Sequence, residues 1–565
     1  MSNQAAGSRP VGAATTPSSA DGAAAGPRRL RGFWEPTAVR VGALTAAAAF
    51  VYCLDSLILF RRFLASTFDL VIFDQGVRGY AHFQAPTSIA RGVSDGEGAH
   101  FLLLADHWSP VLALLAPLYW IHDSPATLLM AQGVLFALAI PPLWAYTRRQ
   151  LGPGAAYFVC VAYALSLPVM EAVIFDFHEV AFVPVLTAVM VERFDAGRLW
   201  HGILAAVALL LVKEDMGLLV AGFGSYLVLT KRRWTGLAFL ITGLLATWIA
   251  THVLIPAFGG SASFYWAYGQ FGSTLGGALG NVVTHPWHAV HVFFSPWVKT
   301  RTMIGLLAAF GFLPFASPLV LAALPLLAER MLASGYPLWW QAKFQYDAFL
   351  VMILACAAVD GAARIQRRWP SRWDALLTYR WSRPAWLHNG AVAGGPGQSN
   401  AVAGGPGQSN AVAWRACVLW AAAVCAAALV YFPSSPLGEL LHPKFYGVNA
   451  RMRAAAAAVA HVPSGTEVEA VNNVGPHLSA RDTVLLLDGT PRWAPWVVAD
   501  TIGFDFPFCS RSDQARLVSY LLDNGYTQVF ADDGYVVLHR PADARTEQAL
   551  AHPAAAARLH TNVCY

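Results

Sequence analysis

Four groups of ionisable residues stand in apolar surroundings, and their side chains are of the kinds that move protons or bind phosphate. Phe68-Asp69-Leu70-Val71-Ile72-Phe73-Asp74-Gln75 carries two carboxylates five positions apart. On a helix they would lie about 140° apart, so one could enter a cavity while the other caps a helix or meets solvent. Asp106-His107 precedes an apolar stretch, where Asp106 could cap a helix N-terminus. Phe175-Asp176-Phe177-His178-Glu179 sets three ionisable groups among phenylalanines, a poor design for a merely solubilising surface. Lys213-Glu214-Asp215 lies between two apolar runs and reads equally as a salt bridge between loops or as part of a site. A carboxylate in a partly desolvated cleft can serve as a general base. The pair Asp74 and Asp176 could instead hold a divalent metal ion through hard oxygen ligands. The residues leave both roles open.

A second set is cationic: Arg61, Arg62, Arg78, Arg91, Lys299, Arg301, Arg330 and Lys343. Guanidinium forks and ammonium point charges both suit phosphate oxygens, although some of these residues could simply snorkel to headgroups.

The elements that position these groups follow from composition. Of 565 residues, 56% are hydrophobic and 13% charged, with mean hydropathy +0.46. Soluble domains carry roughly a quarter of their residues as charged side chains. The chain is therefore expected to be a polytopic α-helical membrane protein, in which intramembrane charges are costly and kept for function. The balance of 38 basic and 33 acidic residues, +5, argues against nucleic acid as a partner. Cys53, Cys160, Cys356, Cys417 and Cys425 lie in apolar runs, while Cys509 and Cys564 lie in the polar C-terminal region and form a disulfide candidate.

Runs of suitable length place eleven spans near 41–60, 125–146, 154–174, 180–194, 200–212, 216–230, 235–255, 302–316, 318–333, 347–363 and 414–432. Lys and Arg in the loops at 148–149, 193–198, 231–233 and 364–372 fall on one side if the N-terminus is cytoplasmic. The protein is then a multi-pass plasma-membrane protein with its C-terminus outside. Residues 1–40 read as a disordered basic tail and 41–365 as the transmembrane core, with a long first outer loop, 61–124. Within that loop 107–121 reads as an interfacial helix, with Trp108, Tyr119 and Trp120 suited to headgroups. The tandem decapeptide AVAGGPGQSN at 391–400 and 401–410 marks 366–413 as a flexible cytoplasmic linker. Beyond the last span, 433–565 reads as a small α/β domain. Its expected strands are 483–487, 527–531 and 535–539, its helices 448–461 and 512–524, with a hairpin at Asp532-Asp533-Gly534.

FDLVIFDQ (68–75), ADHWSPVLALLAPLY (105–119), FDFHE (175–179), KED (213–215) and PHLSARD (476–482) together resemble the membrane family called domain of unknown function 2079, over roughly 55–540. That family is similar in layout to the GT-C superfamily, the multispanning glycosyltransferases that use lipid-phosphate-linked sugars. The resemblance implies a polyprenyl-phosphate sugar donor in the membrane lipid, a glycan or protein acceptor, and inverting transfer at the outer face. It puts Asp74 at the position of the catalytic base and Asp176 near a second acidic position. Asp69, His178 and Glu179 stand beside them, and His107, Glu214 and Asp215 stand on the substrate side. Lys213, Arg301, Arg330 or Lys343 would neutralise the leaving phosphate. Two other classes fit the chain, a transporter or flippase for a lipid-linked glycan and a non-enzymatic cell-envelope scaffold. A transporter would set its charges near the midplane, whereas these cluster at outer loops.

Overall fold

Pro36 opens a helix that runs to Arg61, long and apolar enough to cross a bilayer. The computed structural model describes residues 36–368 and 406–551, apart from Lys231, Phe264 and Phe504. Among them, four more helices pass the same test, Ala126–Leu151, Arg233–Ala257, Phe344–Arg368 and Arg415–Ser434, and the bent pair Pro153–Ala164 and Leu167–Ile174 makes a sixth. Phe344–Arg368 is the central one, with 83% of its apolar window buried against about a fifth for Pro36–Arg61.

The span list read from the sequence needs correction in two places. Residues 302–333 hold no continuous span: Trp297–Ala308 ends at a turn where Gly311 and Phe312 take positive φ, and short 3-10 turns follow before the helix Leu324–Leu332. Pro314, Pro318 and Pro325 account for the breaks, since each lacks an N–H and crowds the preceding turn. Several other expected spans are short helices, among them Phe182–Asp195, Leu199–Leu209 and Met216–Leu229. Met216–Leu229 and the start of Arg233–Ala257 approach closely because glycine faces glycine: a Cβ on Gly217 would lie 2.2 Å from the Gly243 carbonyl oxygen. The tail also ends earlier than expected, at Pro36, and the last helix starts at Pro406 inside the second decapeptide. The rest of the tail, the first decapeptide and Cys564 lie outside the described residues.

The C-terminal unit is a five-stranded sheet in the order β2-β1-β3-β5-β4, with β1 Glu467–Ala470, β2 Thr483–Leu486, β3 Trp496–Asp500, β4 Thr527–Asp532 and β5 Tyr535–His539. β1 is parallel to β2 and β3, and β5 is antiparallel to β3 and β4. The expected hairpin is present, with Asp533 and Gly534 both at positive φ, as a two-residue type I′ turn requires. Helices Ala450–His461 and Arg511–Asp523 cover the sheet. β1 and β3 are strands that the sequence reading does not include.

This unit is docked on the connection that follows the first helix. Thr67 donates from its backbone N–H and its hydroxyl to the Asn472 carbonyl oxygen, at 2.7 and 2.8 Å. The Phe68 N–H meets Asn472 Oδ1, and the Gln75 amide donates to the Val484 carbonyl. His477 stacks on Phe60 and Phe63. Arg149, paired with Glu192 and Asp195, marks the opposite end of the bundle.

Candidate functional site

The stretch 67–81 starts as one π-helical turn, Thr67–Val71, and continues as the helix Ile72–Ala81. Asp69 and Asp74 leave it in different directions. Asp74 is fully buried. One carboxylate oxygen accepts from the Tyr119 hydroxyl at 2.7 Å and the other from the Ser479 hydroxyl at 2.8 Å. Arg78 adds an ion pair at 2.9 Å and reaches on to Asp123. Asp74 thus ties the helix to the 116–119 turn and to the C-terminal unit. Burial pushes its pKa up against the pull of Arg78, Tyr119 and Ser479. Tyr119, expected at the headgroups, is instead buried in this network, while Trp120 is exposed.

Asp69 faces the other cluster. Its carboxylate lies 3.2 Å from His178 Nε2, and its side chain keeps 23% of its surface. Ser66 holds both acids: its hydroxyl accepts from the Asp69 N–H at 3.1 Å, and its own N–H donates to Asp176 Oδ1 at 2.9 Å. Asp176 sits at φ +34°, a strained value for a residue with a Cβ. Gln132 holds the turn in that shape. Its amide donates to the carbonyls of Ala172 and Asp176 and accepts from the His178 N–H. Burial, then the neighbouring Asp69 charge, pushes Asp176 up to about 7.

The two remaining groups complete the cluster. Lys213 donates to Glu179 at 2.7 Å. Burial alone would raise Glu179, but Lys213 overrides it and holds the carboxyl below its ordinary value. Glu214 receives His107 Nδ1 at 2.8 Å and the Trp108 N–H at 3.1 Å. Burial opposes its ionisation, yet His107 and Lys213 bring it down to about 2. Asp215 is raised by burial and by the charges of Glu329 and Glu214. Behind His107, Tyr265 stacks at 4.8 Å, and Asp106 pairs with Arg91 at 3.0 Å. Asp106 therefore anchors Arg91 as well as ending the short helix Leu103–Asp106.

The cations divide sharply. Arg330 is buried and spent on Asp347 and on the carbonyls of Trp339, Gln341 and Tyr346, so it shapes the 339–347 segment. Lys299 is buried and donates to three carbonyls, those of Val292, Met331 and Ala333. Arg301 and Lys343 are exposed. Lys343 lies within electrostatic reach of Glu171, and the next residue, Phe344, packs edge-on against Phe175 at 4.5 Å. Tyr346, on the same segment, is an electrostatic neighbour of Asp69 and Lys213.

The structure thus gathers Asp69, Asp176, His178, Glu179, Lys213, Glu214 and His107, with Asp215 beside them. Among the described residues no hydrogen bond or ion pair joins Asp74 to Asp176, and Asp74 is engaged by Arg78, Tyr119 and Ser479. Among the described residues no three His, Cys, Asp or Glu side chains form a group that could hold a metal ion. Cys509 is disulfide-bonded, and the five cysteines of the apolar runs are free. Sequence reasoning does not mark Ser66, Gln132, Ser479 or Tyr346 as site residues, and it sets Tyr119 at the headgroups instead. Only Gln132 carries a signal there, as an uncharged amide inside an apolar span.

The fold of this chain is similar to that of solved membrane proteins. ArnT from Cupriavidus metallidurans, bound to undecaprenyl phosphate, matches with TM-score 0.50 at 12% identity, over 90% of this chain and 99% of that chain. The archaeal oligosaccharyltransferase AglB from Archaeoglobus fulgidus, in complex with an inhibitory peptide and a dolichol-phosphate, gives 0.36 at 10% identity, over 82% of this chain and 69% of that one. The class is a membrane protein that shares its fold with ArnT. The family model for "predicted membrane protein (DUF2079)" matches residues 60–382, more than half of the chain, and the protein belongs to that family. No curated protein matches.

Proposed function

We propose that the protein is an integral membrane glycosyltransferase that takes a sugar from a polyprenyl-phosphate carrier at the outer face and transfers it to a glycan or protein hydroxyl. The observation that carries this reading is the meeting of Asp69, His178 and Asp176 with the Glu179–Lys213 and Glu214–His107 pairs, drawn from four separate stretches of chain. Asp69, rather than Asp74, is the base. It is part-exposed and oriented by His178 and Ser66, whereas both oxygens of Asp74 are occupied and shut from solvent. A base must reach the acceptor proton directly or through one water.

In this reading the acceptor oxygen attacks the anomeric carbon while the bond from that carbon to the phosphate oxygen breaks. The acceptor proton passes to Asp69, and the bonding pair leaves with the lipid phosphate. Lys343, exposed on the segment whose Phe344 packs against Phe175, is the cation that meets that phosphate in this reading. Lys213 keeps Glu179 and Glu214 ionised beside it. The fold shared with ArnT, which is seen bound to undecaprenyl phosphate, supports a lipid-phosphate donor. The side of the membrane rests on the loop charges.

The test is binding of undecaprenyl phosphate by the full chain in nanodiscs. Wild type is expected to bind, and Lys343→Ala to bind about tenfold more weakly, with Asp69→Asn unchanged. No binding by wild type would refute the donor assignment.

A further inference from the structure

A polar cavity of about 350 Å³ lies where the C-terminal unit meets residues 62–66. Its position in the sheet is informative. β1 has β2 on one side and β3 on the other, all three parallel, so the strand order reverses beside β1. Ligands of open α/β sheets bind outside the carboxyl ends of the strands at such a reversal. Asn472 and Asn473 follow β1, and Asp500 ends β3 with Asp505 just beyond, and all four line this cavity.

The chemistry of the lining selects a ligand class. Asp505 Oδ2 accepts the Asn473 N–H at 3.0 Å, and the Asn473 amide nitrogen donates to the Tyr535 hydroxyl at 2.9 Å. The amide oxygen of Asn473 is buried with no hydrogen-bond partner among the described residues, a costly state unless a ligand supplies a donor. Arg451 pairs with Asp500 and lies over the Tyr535 ring, so its charge is already met. Arg62 lines the cavity too, and two guanidinium groups against the Asp500 and Asp505 carboxylates leave the wall without net charge, with no surplus of cations for a phosphate. Amide, carboxylate and phenol groups in a wall without net charge are what reads hydroxyls, and the volume is near the small end of ligand pockets, about 300 Å³.

The other wall is Ser66, which lines the cavity and also holds Asp69 and Asp176. We propose that this cavity binds a neutral saccharide ring, the acceptor, and holds it beside the loop that carries Asp69. The word acceptor rests on the glycosyltransferase reading; the saccharide site does not.

Saturation-transfer NMR on the full chain in nanodiscs tests it, with the methyl glycosides of glucose, mannose, galactose and N-acetylglucosamine as probes. At least one should bind wild type, and Asn473→Leu should weaken it about tenfold while leaving undecaprenyl phosphate binding unchanged. Should Asn473→Leu not fold, Tyr535→Phe removes a single hydroxyl and should weaken the same probe several-fold. If no glycoside binds, or binding survives both substitutions, the inference falls. Asp69→Asn should leave glycoside binding intact, so failure of the site and failure of the catalytic reading are distinguishable.

Discussion

Asp69 and Asp74 are separated by five positions and share one short helical segment, yet they meet opposite surroundings. Asp74 receives two hydroxyls and a guanidinium, has no exposed surface, and binds the C-terminal unit to the bundle. Asp69 has one imidazole beside it and an open edge. A carboxylate whose oxygens are all occupied holds structure together, while one with a free lone pair and a fixed orientation can take a proton. The same contrast separates Arg330, committed to four partners, from Lys343, exposed in the middle of the segment Arg330 shapes.

The comparison can be broken on either side. The largest effect is expected from Lys213→Met, which strands the buried Glu179 carboxylate and should cost about 3 kcal/mol, read as a lowered Tm. The double variant Lys213→Met with Glu179→Leu should recover most of that stability. A single variant as stable as wild type would mean that the pair is not buried as described. Asp74→Asn, on the structural side, should cost about 2 kcal/mol through the contacts with Arg78, Tyr119 and Ser479. Glycosyl transfer should persist wherever the variant remains folded. Ser479→Ala removes one of those contacts and should cost about 1 kcal/mol, seen as earlier proteolysis of the C-terminal unit.

A pH dependence tests the same cluster. Burial and the Asp69 charge push Asp176 up to about 7 from 3.8, so the native state holds this proton more tightly than the unfolded chain does. The stability it contributes is complete below about pH 4 and is lost as pH rises through about 7. Asp176→Asn, which keeps the acceptor for the Ser66 N–H, should therefore lose less Tm than wild type between pH 5 and pH 8, by about 2 °C. Equal losses in both proteins would show that Asp176 is ionised throughout.

All four ionisable groups were legible in the sequence, because charge in an apolar chain is rare and conspicuous. Which of two aspartates faces the cluster was not. The π-helical turn at Thr67–Val71 shifts the helical phase, and the residue that helps bury Asp74, Ser479, lies 405 positions away. Neutral side chains such as Ser66 and Tyr119 announce nothing until their partners are known. The β4–β5 hairpin was legible through its Asp-Gly turn, whereas β1, Glu-Val-Glu-Ala, has two acids in four residues and hides a buried strand. The prolines between 314 and 325 were visible, but a hydropathy reading averages over them.

The most direct measurement is the rate of sugar loss from polyprenyl-phosphate sugars of the native membrane, followed by mass spectrometry in nanodiscs for Asp69→Asn and Asp74→Asn side by side. The account predicts a fall of about a thousandfold for Asp69→Asn, the scale of a lost general base, and less than tenfold for folded Asp74→Asn. Full activity in Asp69→Asn with loss in Asp74→Asn would contradict it.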